Sequence, residues 1–485
     1  MRRAAAAALA ALVFAGAGAA AVERDSFTPN DPLASRQWYL AQDRAFDAWP
    51  NLPTLPGAGV KVAIVDSGID GGHPEFAGKI AASKSFVGGS ALTDQQGHGT
   101  FVAGEIAAAT ENGQGIAGIA FPAQLVIAKV VRSDRTISLE AEAAAIRWAV
   151  DRGARVVNLS LGGLRDPPDP RRDTFSPLEA SAVDYAVRHG AVVVAAVGNS
   201  DQAPTTPWPY ASYPAALPHV LGVSALGRDG SVPLFSNRDA VYNDISAPGQ
   251  DIFSTLPRTL GVRPGCPDPG YSDCGPDDFR HAEGTSFAAP QVAAAAALLL
   301  AADPELTGAE VTTLLEHSAD DVNATTGCRR CPLLRDSLSG WGRLDVAKAI
   351  GALAGPLPAA DHYETNDDAG THAPRIWGRS RELTATLDYW DDPIDVYAVK
   401  LAAGTTLAAR VDGPADANVS LELWKPGTLT VLAPGRALTD RVSRAARPGS
   451  VERIVYRRSR GGWYYVAVRI AQGGFGEYTL SLSKT

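Results

Sequence analysis

The chain has 485 residues, a length that predicts two or three domains rather than one. Hydrophobic residues make up 45% of it, enough for large cores, and the formal net charge is −9. This composition argues against a nucleic acid or an anionic membrane surface as the partner, because phosphate binding needs concentrated lysine and arginine.

The first 21 residues have the pattern of a secretory signal peptide. Arg2 and Arg3 form its positive end, an apolar stretch follows at 4–15, and small residues at 17–21 offer cleavage sites. A membrane anchor is the alternative, but the segment is too short and polar residues follow it. No later stretch is long enough to span a bilayer. We therefore expect an exported, extracellular protein with a bacterial-type signal peptide.

Between residues 22 and 355, short β-branched runs alternate with amphipathic stretches. An arm at 22–57 precedes the first buried strand, at 60–65, which ends at Asp66. Further strands are predicted at 124–131, 155–161, 191–197 and 219–225, and helices at 101–109, 139–152, 178–189 and 292–302. The alternation predicts an α/β fold, a doubly wound parallel sheet with helices on both faces. The functional residues of such a sheet lie at the carboxyl ends of its strands.

From about residue 356 the pattern changes, and Pro356 and Pro358 mark a linker. Short alternating runs separated by Gly, Asp and Pro predict an all-β sandwich of seven or eight strands over residues 356–485. Its acidic cluster consists of Asp388, Asp391, Asp392 and Asp395. Such a cluster either binds calcium or forms a solvated turn, and we expect the turn.

Export predicts an oxidising compartment, in which the four cysteines are paired. Cys266 and Cys274 lie in one Pro/Gly/Asp-rich segment, and Cys328 and Cys331 form Cys-Arg-Arg-Cys. Four cysteines allow three connectivities, and proximity favours the pairs 266–274 and 328–331. A zinc site built from both pairs is one alternative. A redox role for the second pair is another, although no thioredoxin-like context surrounds it.

Four polar residues have the types that acyl transfer through a serine requires. Ser286 follows a Gly-Thr turn at the start of an alanine-rich run, so its hydroxyl is either a helix cap or a nucleophile. A nucleophile also needs a base, an orienting acid and oxyanion donors. His98 lies between two glycines, and Asp66 and Asn199 follow predicted strands. Each of these three residues alone would be an ordinary turn or surface residue.

Three sequence motifs indicate that these residues act together. They are AIVDSGID at 63–70, GHGTFVAG at 97–104 and GTSFAAP at 284–290. They closely resemble the signature segments of subtilisin-like serine peptidases, whose catalytic residues occur in the order Asp, His, Ser. The resemblance extends over residues 30–352. It implies a secreted serine endopeptidase with Asp66 as orienting acid, His98 as general base, Ser286 as nucleophile and Asn199 as oxyanion donor.

The resemblance also implies where a protein or peptide substrate binds. The segment NLSLGG at 158–163 resembles the strand that pairs with an extended substrate. The predicted substrate-binding residues are Ser160, Leu161, Gly162 and Gly163. The two glycines would let a peptide backbone approach closely, and strand addition tolerates many sequences. A plain core strand that ends in a glycine turn is the alternative.

No cofactor is implied for the chemistry, but the family often binds structural calcium. Glu75 stands where an aspartate is often a ligand, and Asn112 resembles a ligand in a loop that is one residue longer than usual. A solvated loop is the other interpretation.

Phe287 stands where the family usually has an oxidisable methionine. The insertions at 164–177 and 261–279 either border the cleft or only lengthen surface loops.

The usual folding pro-segment has no counterpart between the signal peptide and residue 30, where the resemblance begins. The C-terminal part resembles the β-sandwich at the end of secreted bacterial peptidase precursors. We expect a monomer. Two other functions fit the same motifs. One is that of a peptide ligase or macrocyclase that uses the same triad, and the other is that of a catalytically inactive protein-binding relative. The second is disfavoured because all four chemical positions are intact.

Overall fold

The structure is a computed structural model that describes most of the chain. It covers residues 27–49, 59–261, 278–357 and 362–485, apart from residues 365, 391, 416, 433–438, 458 and 473. The predicted signal peptide, the predicted Cys266–Cys274 pair and Asp391 lie outside the described residues.

Seven parallel strands form the central sheet, in the order β2-β3-β1-β4-β5-β6-β7. The strands are β1 Lys61–Asp66, β2 Ile80–Ser85, β3 Gln124–Lys129, β4 Val156–Leu159, β5 Val192–Ala196, β6 Val220–Leu226 and β7 Ile245–Pro248. The parallel doubly wound sheet is therefore confirmed, and its five predicted strands begin and end within two residues of their predicted positions. We did not predict β2, in which no residue is buried, or β7, a four-residue strand at the other edge of the sheet.

Helices cover both faces of this sheet. The helices are α1 Trp38–Gln42, α2 Ala45–Ala48, α3 His98–Ala107, α4 Leu139–Asp151, α5 Pro177–Arg188, α6 Arg258–Gly261, α7 Thr285–Ala302, α8 Gly308–Ser318 and α9 Val346–Ala352. Val62 and Ile64 of β1 face the core that contains α3 and α7. Ala63 and Val65 face the opposite core, against α4 and α5. Both faces are buried, which is why the strands read as continuous apolar runs.

Helix α7 begins at Thr285, seven residues before the predicted start at Val292. Pro290 is its sixth residue, so the helix lacks the N–H that would otherwise bond the Ser286 carbonyl. Within the described residues, α7 is the helix whose length and apolarity would suffice to cross a membrane, and 89% of it is buried inside the protein. It is thus the central core helix. Beside its start, β8 Ile252–Thr255 and β9 Phe279–Ala282 form an antiparallel pair.

The C-terminal part is a sandwich of two sheets, as predicted. One has the order β10-β12-β17-β14-β15 and the other β11-β18-β13-β16. The strands are β10 Arg375–Ile376, β11 Ser380–Asp388, β12 Ile394–Ala403, β13 Leu407–Asp412, β14 Asn418–Trp424, β15 Arg441–Ala445, β16 Val451–Tyr456, β17 Arg460–Gln472 and β18 Phe475–Lys484. The described residues thus contain nine strands instead of seven or eight. The two edge strands β10 and β15 escaped prediction because they are short and polar.

The sandwich packs against α8 and the residues just before β6. His317 at the end of α8 stacks on Trp390 with ring centroids 4.1 Å apart. The His219 Nε2 atom lies 2.7 Å from a carboxylate oxygen of Asp367. Because His219 immediately precedes β6, this contact lies at the amino edge of the parallel sheet. The sandwich is therefore docked at the opposite edge from the strand ends that carry the candidate site.

The acidic cluster of the sandwich is not the solvated turn that we expected. Asp395 is fully buried and Asp388 nearly so, and Asp388 accepts a hydrogen bond from the Thr313 hydroxyl of α8. The carboxylates of Asp392 and Asp395 converge instead with Glu364, which sequence patterns did not link to them. The expectation failed because residues distant in the sequence cover this turn.

Candidate active site

Asp66 and His98 meet at the carboxyl edge of the sheet. Asp66 is the last residue of β1 and His98 the first residue of α3. The His98 Nδ1 atom lies 2.9 Å from both carboxylate oxygens of Asp66. Gly99 allows this approach, because a Cβ there would lie 2.2 Å from the Gly68 carbonyl oxygen. Asp66 is almost fully buried, so its charge acts on His98 with little screening by water.

The electrostatics of the pair favour a charged imidazole. Burial alone disfavours the charge on His98, but the charge of Asp66 and its hydrogen bond act in the opposite direction. Together they raise the pKa of His98 above its ordinary value of 6.5. Since Nδ1–H donates to Asp66, the neutral ring leaves Nε2 as an acceptor. His98 is therefore oriented as a base and stabilised once it has taken up a proton.

The loop before His98 is held by Asp94, which sequence reasoning did not single out as functional. One Asp94 oxygen accepts hydrogen bonds from the Gly97 N–H at 2.9 Å and from the Ser67 hydroxyl at 2.9 Å. The other accepts from the N–H and the hydroxyl of Thr100. Asp94 thereby fixes the amino end of α3 to the residue after Asp66. Its position four residues before His98, just ahead of the GHGTFVAG motif, was the available signal.

Ser286 is the second residue of α7, and the helix leaves its carbonyl free. Pro290, four residues later, has no N–H to donate to that carbonyl. The Ser160 hydroxyl donates to it instead, at 2.7 Å, and Ser160 Oγ in turn accepts from Asn158 Nδ2 at 2.9 Å. The segment that follows β4 is thus tied directly to the candidate nucleophile, 126 residues away in the sequence.

Within the described residues no hydrogen bond joins the Ser286 hydroxyl to His98. Catalytic hydrogen bonds are often long without substrate and shorten when it binds. The two elements are joined by packing through Phe287. Its ring lies 5.3 Å from the His98 ring and 4.5 Å from the Phe101 ring, and it is 6% exposed. Phe287 therefore fills the core between α3 and α7 rather than the substrate side of the site.

The Asn199 side chain is oriented by Thr285. Its Oδ1 atom accepts hydrogen bonds from both the backbone N–H and the hydroxyl of Thr285, each at 3.0 Å. Because the amide oxygen is engaged, the Nδ2 donor group is directed away from Thr285. Gly284 keeps the adjacent space open, since a Cβ there would lie 3.2 Å from Nδ2. Asn199 Nδ2 thus lies beside Gly284, at the amino end of α7.

A buried pair, also absent from the sequence-based candidates, links the helices that carry His98 and Ser286. The Gln291 side chain of α7 donates to a Glu105 carboxyl oxygen of α3 at 3.1 Å, and both residues are fully buried. Gln291 also donates to the Phe287 carbonyl at 2.7 Å. Burial raises the pKa of Glu105 well above its ordinary value, which favours the neutral acid. The pair fixes the relative position of α3 and α7 below the site.

The predicted substrate-binding segment extends β4 beyond Leu159. Gly163 exchanges two backbone hydrogen bonds with Tyr213, at 2.8 and 2.9 Å. A Cβ at Gly162 would lie 2.5 Å from the Tyr213 carbonyl, and one at Gly163 would lie 2.3 Å from the Thr174 hydroxyl. The glycines are therefore required by this chain's own packing. Thr174 belongs to the first predicted insertion, which lies directly beside this segment.

Glu75 and the loop of Asn112 lie close together. Glu75 accepts from the Ile116 N–H at 3.2 Å, and Asn112 Oδ1 accepts from the Gln114 N–H at 2.7 Å. Burial raises the pKa of Glu75 to about 7. Among the described residues, the converging groups of three acidic or histidine side chains lie around Glu364. Calcium binding by Glu75 and Asn112 stays a prediction.

The structure contains a disulfide between Cys328 and Cys331. Both sulfurs are buried beside Leu226 at the end of β6. The disulfide closes a turn that holds Arg329 and Arg330 at the surface.

The chain is similar in sequence to known proteins. Residues 57–342 match the model of the subtilase family. The chain is 33% identical over 301 residues to thermitase of Thermoactinomyces vulgaris, covering 62% of this chain and 94% of thermitase. It is 33% identical over 302 residues to the thermophilic serine proteinase of Bacillus sp. strain AK1, covering 62% of this chain and 66% of that protein.

A solved structure is also similar, that of a protease from Pseudoalteromonas arctica PAMC 21717. The TM-score is 0.53 and the identity 28%, and the match covers 67% of this chain and 99% of the other. The family match, the relatives and the fold agree with one another. The chain therefore belongs to the subtilase family and is a serine-type endopeptidase.

Proposed function

We propose that the protein is a secreted endopeptidase that hydrolyses peptide bonds in proteins through an acyl-enzyme on Ser286. The observation that carries the proposal is the contact of His98 Nδ1 with both oxygens of buried Asp66, at 2.9 Å. The pair lies at the sheet edge where α7 presents Ser286. A base oriented in this way next to a helix-mouth serine is the arrangement that activates a hydroxyl.

Each residue has one part in the reaction. His98 Nε2 takes the proton of the Ser286 hydroxyl as Oγ attacks the substrate carbonyl carbon, and Asp66 stabilises the imidazolium. The oxyanion accepts hydrogen bonds from Asn199 Nδ2 and from the Ser286 N–H at the amino end of α7. His98 then protonates the leaving amine, and water hydrolyses the ester by the same route. These steps use side chains and backbone groups alone and need no cofactor.

The acyl half of the substrate would pair with residues 160–163 in an extended conformation. Support comes from the bond between Ser160 and the Ser286 carbonyl, which fixes this segment next to the nucleophile. Strand addition recognises the backbone, so broad specificity on this side is expected. We assign residues 1–21 to a signal peptide, 22–355 to the peptidase domain and 356–485 to the β-sandwich domain of a monomer. Structural calcium held by Glu75 and Asn112 is part of this proposal.

Ser286→Ala tests the nucleophile. The variant should lose labelling by a fluorophosphonate and lose proteolysis, because the proposed nucleophile is removed and the neighbouring Thr285 hydroxyl donates to Asn199 Oδ1 instead. Ser90→Ala, in an exposed loop, is the control and should label like the wild type. Labelling that persists in Ser286→Ala would contradict the assignment. Product masses from a test peptide would also distinguish hydrolysis from ligation or cyclisation, which would leave joined products.

A further inference from the structure

Three arginines line one groove close to the candidate site. Arg238, Arg329 and Arg330 border a cavity of about 700 Å³ between the turn at 229–234 and the loop at 324–330. None of them takes part in the chemistry proposed above. Such a concentration of positive charge is notable in a chain whose net charge is −9.

The groove is connected directly to the segment that carries Asn199. Asn199 pairs with Ser236 in an antiparallel bridge, and the Asn237 N–H donates to the Gly198 carbonyl at 2.9 Å. Arg238 is the next residue. Bridged residues lie about 5 Å apart, and two more residues of extended chain add about 7 Å. The backbone of Arg238 is therefore about 12 Å or less from that of Asn199.

The walls of the groove are held closely together. A Cβ at Gly230 would lie 2.1 Å from the Thr326 carbonyl, and one at Gly327 would lie 1.9 Å from the Asp229 carbonyl. The two loops thus touch through their backbones. The Cys328–Cys331 disulfide closes the turn that presents Arg329 and Arg330. The backbone positions of the three arginines are therefore set by the fold.

The three guanidinium groups have no counter-ion among the residues that the structure describes. The Nε atom of Arg238 is buried and has no hydrogen-bond partner there. Burial and the charge of Arg330 lower the pKa of Arg238, which shows that its cation is poorly compensated. The acidic residue of the groove, Asp229, uses one carboxylate oxygen to accept from the N–H and hydroxyl of Ser231. A carboxylate from outside would relieve the repulsion and satisfy the buried donor.

The order of the strands indicates which half of the substrate would reach the groove. The segments that follow β4, β5 and β6 are neighbours in that order along the carboxyl edge. Residues 160–163 follow β4, Asn199 follows β5, and the groove begins after β6. An extended peptide whose acyl half lies along 160–163 passes the oxyanion site and continues toward the groove. The half beyond the cleaved bond is therefore the part that approaches the arginines.

We propose that Arg238, Arg329 and Arg330 form an anion subsite that selects an acidic side chain in the leaving-group half of the substrate. An extended peptide advances about 3.3 Å per residue, so a distance of at most about 12 Å is reached within about four residues past the cleaved bond. This subsite rests on the proposed peptidase function. It adds a charge preference on one side of a cleft that otherwise recognises backbone.

The test uses the mature enzyme and peptides that share one acyl half. A single Glu is placed at each position from the second to the fifth after the cleaved bond, with Gln at the same position as its isosteric neutral control. In the wild type, Glu should raise kcat/KM about tenfold over Gln at one or two of these positions, as a charge-assisted pair allows. The preference should weaken as salt is added.

Arg238→Gln and Arg330→Gln should bring the Glu-to-Gln ratio close to one while leaving cleavage of the all-neutral peptide unchanged. Arg152→Gln, at the exposed end of α4, removes the same charge elsewhere and should retain the preference. A ratio near one at every position in the wild type overturns the subsite. So does a preference that survives Arg238→Gln.

Failure of the proposed function gives a different result, because the all-neutral peptide would then not be cleaved at all. In that case, and as an independent measurement, binding of the Glu and Gln peptides to Ser286→Ala is compared by fluorescence anisotropy. Tighter binding of the Glu peptide that is lost when Arg238→Gln is added supports the subsite without any turnover. Equal binding of the two peptides overturns it.

Discussion

At the scale of single residues, the Asp66–His98 contact determines how activity depends on pH. The general base must be neutral, so kcat/KM falls as pH drops through the pKa of His98. Because Asp66 raises that pKa above its ordinary value, the acidic limb should lie above pH 6.5. The measurement is kcat/KM on a neutral peptide from pH 5 to 9.

Asp66→Asn should lower kcat by about 10⁴-fold, because the amide does not hold the imidazole in the required tautomer. It should also move the acidic limb to lower pH. Asp70→Asn is the control, since Asp70 is close by but pairs with Arg258 instead of His98. An acidic limb that does not move in Asp66→Asn would show that another group sets it.

The residues of the candidate site fall into two groups, those that local sequence motifs predict and those whose contacts are made by residues far away in the sequence. Asp66, His98, Ser286 and Asn199 could be found from motifs, since each lies at the end or start of a predictable element. The residues that hold these four in place by hydrogen bonds and packing could not be found in this way. Ser160 reaches the Ser286 carbonyl across 126 residues, and Gln291 reaches Glu105 across 186. The sequence pattern predicts where a helix or strand lies and where it ends. Which side chains pair across the core depends on how the elements pack together.

At the scale of elements, helices α4 and α5 share a buried pair of carboxyl groups. Glu142 and Glu179 are hydrogen-bonded and almost fully buried. Burial raises the pKa of Glu142 well above its ordinary value and that of Glu179 to about 7. A pKa raised by folding stabilises the fold at low pH, and this stabilisation is lost as pH rises from about 4.5 through about 7.

Glu142→Gln should therefore raise the free energy of unfolding at pH 8 and change it little at pH 5. The gain should be about 1–3 kcal/mol, since one pKa unit corresponds to about 1.4 kcal/mol. Denaturant unfolding at the two pH values measures it. Glu140→Gln is the control on the same helix, because Glu140 is exposed and its pKa is lowered, not raised. A gain that is equal at both pH values would show that the pair does not titrate in this range.

For three of the differences between prediction and structure, the physical cause is identifiable. β2 and β15 lie at sheet edges and carry alternating or polar residues, so they lack the apolar run that marked the buried strands. The first six residues of α7 include Thr285, Ser286 and Pro290, which weaken a helix signal although the tertiary core holds them. The five predicted strands of the central sheet are apolar runs buried on both faces, whereas the conformation of β2, β15 and the start of α7 depends on neighbouring elements.

At the scale of the whole molecule, the sandwich and the peptidase part are joined by aromatic contacts far from the active site. Trp390 stacks on His317 and lies 6.5 Å from the Trp341 ring, while Tyr389 packs edge-on against Trp341 at 5.1 Å. These contacts lie at the amino edge of the sheet, whereas Ser286 lies at the carboxyl edge. Docking should therefore contribute to stability and not to the chemical step.

Trp390→Ala should weaken the docking by about 1–3 kcal/mol, because large aromatic anchors carry most of the energy of such contacts. Calorimetry should then separate one unfolding transition into two, or lower the first, while kcat/KM on a neutral peptide stays unchanged. Trp377→Ala is the control, since Trp377 is 57% exposed on the sandwich and packs on Trp463 instead of on the peptidase part. A loss of kcat/KM in Trp390→Ala alone would mean that the docked sandwich influences the catalytic edge through the sheet.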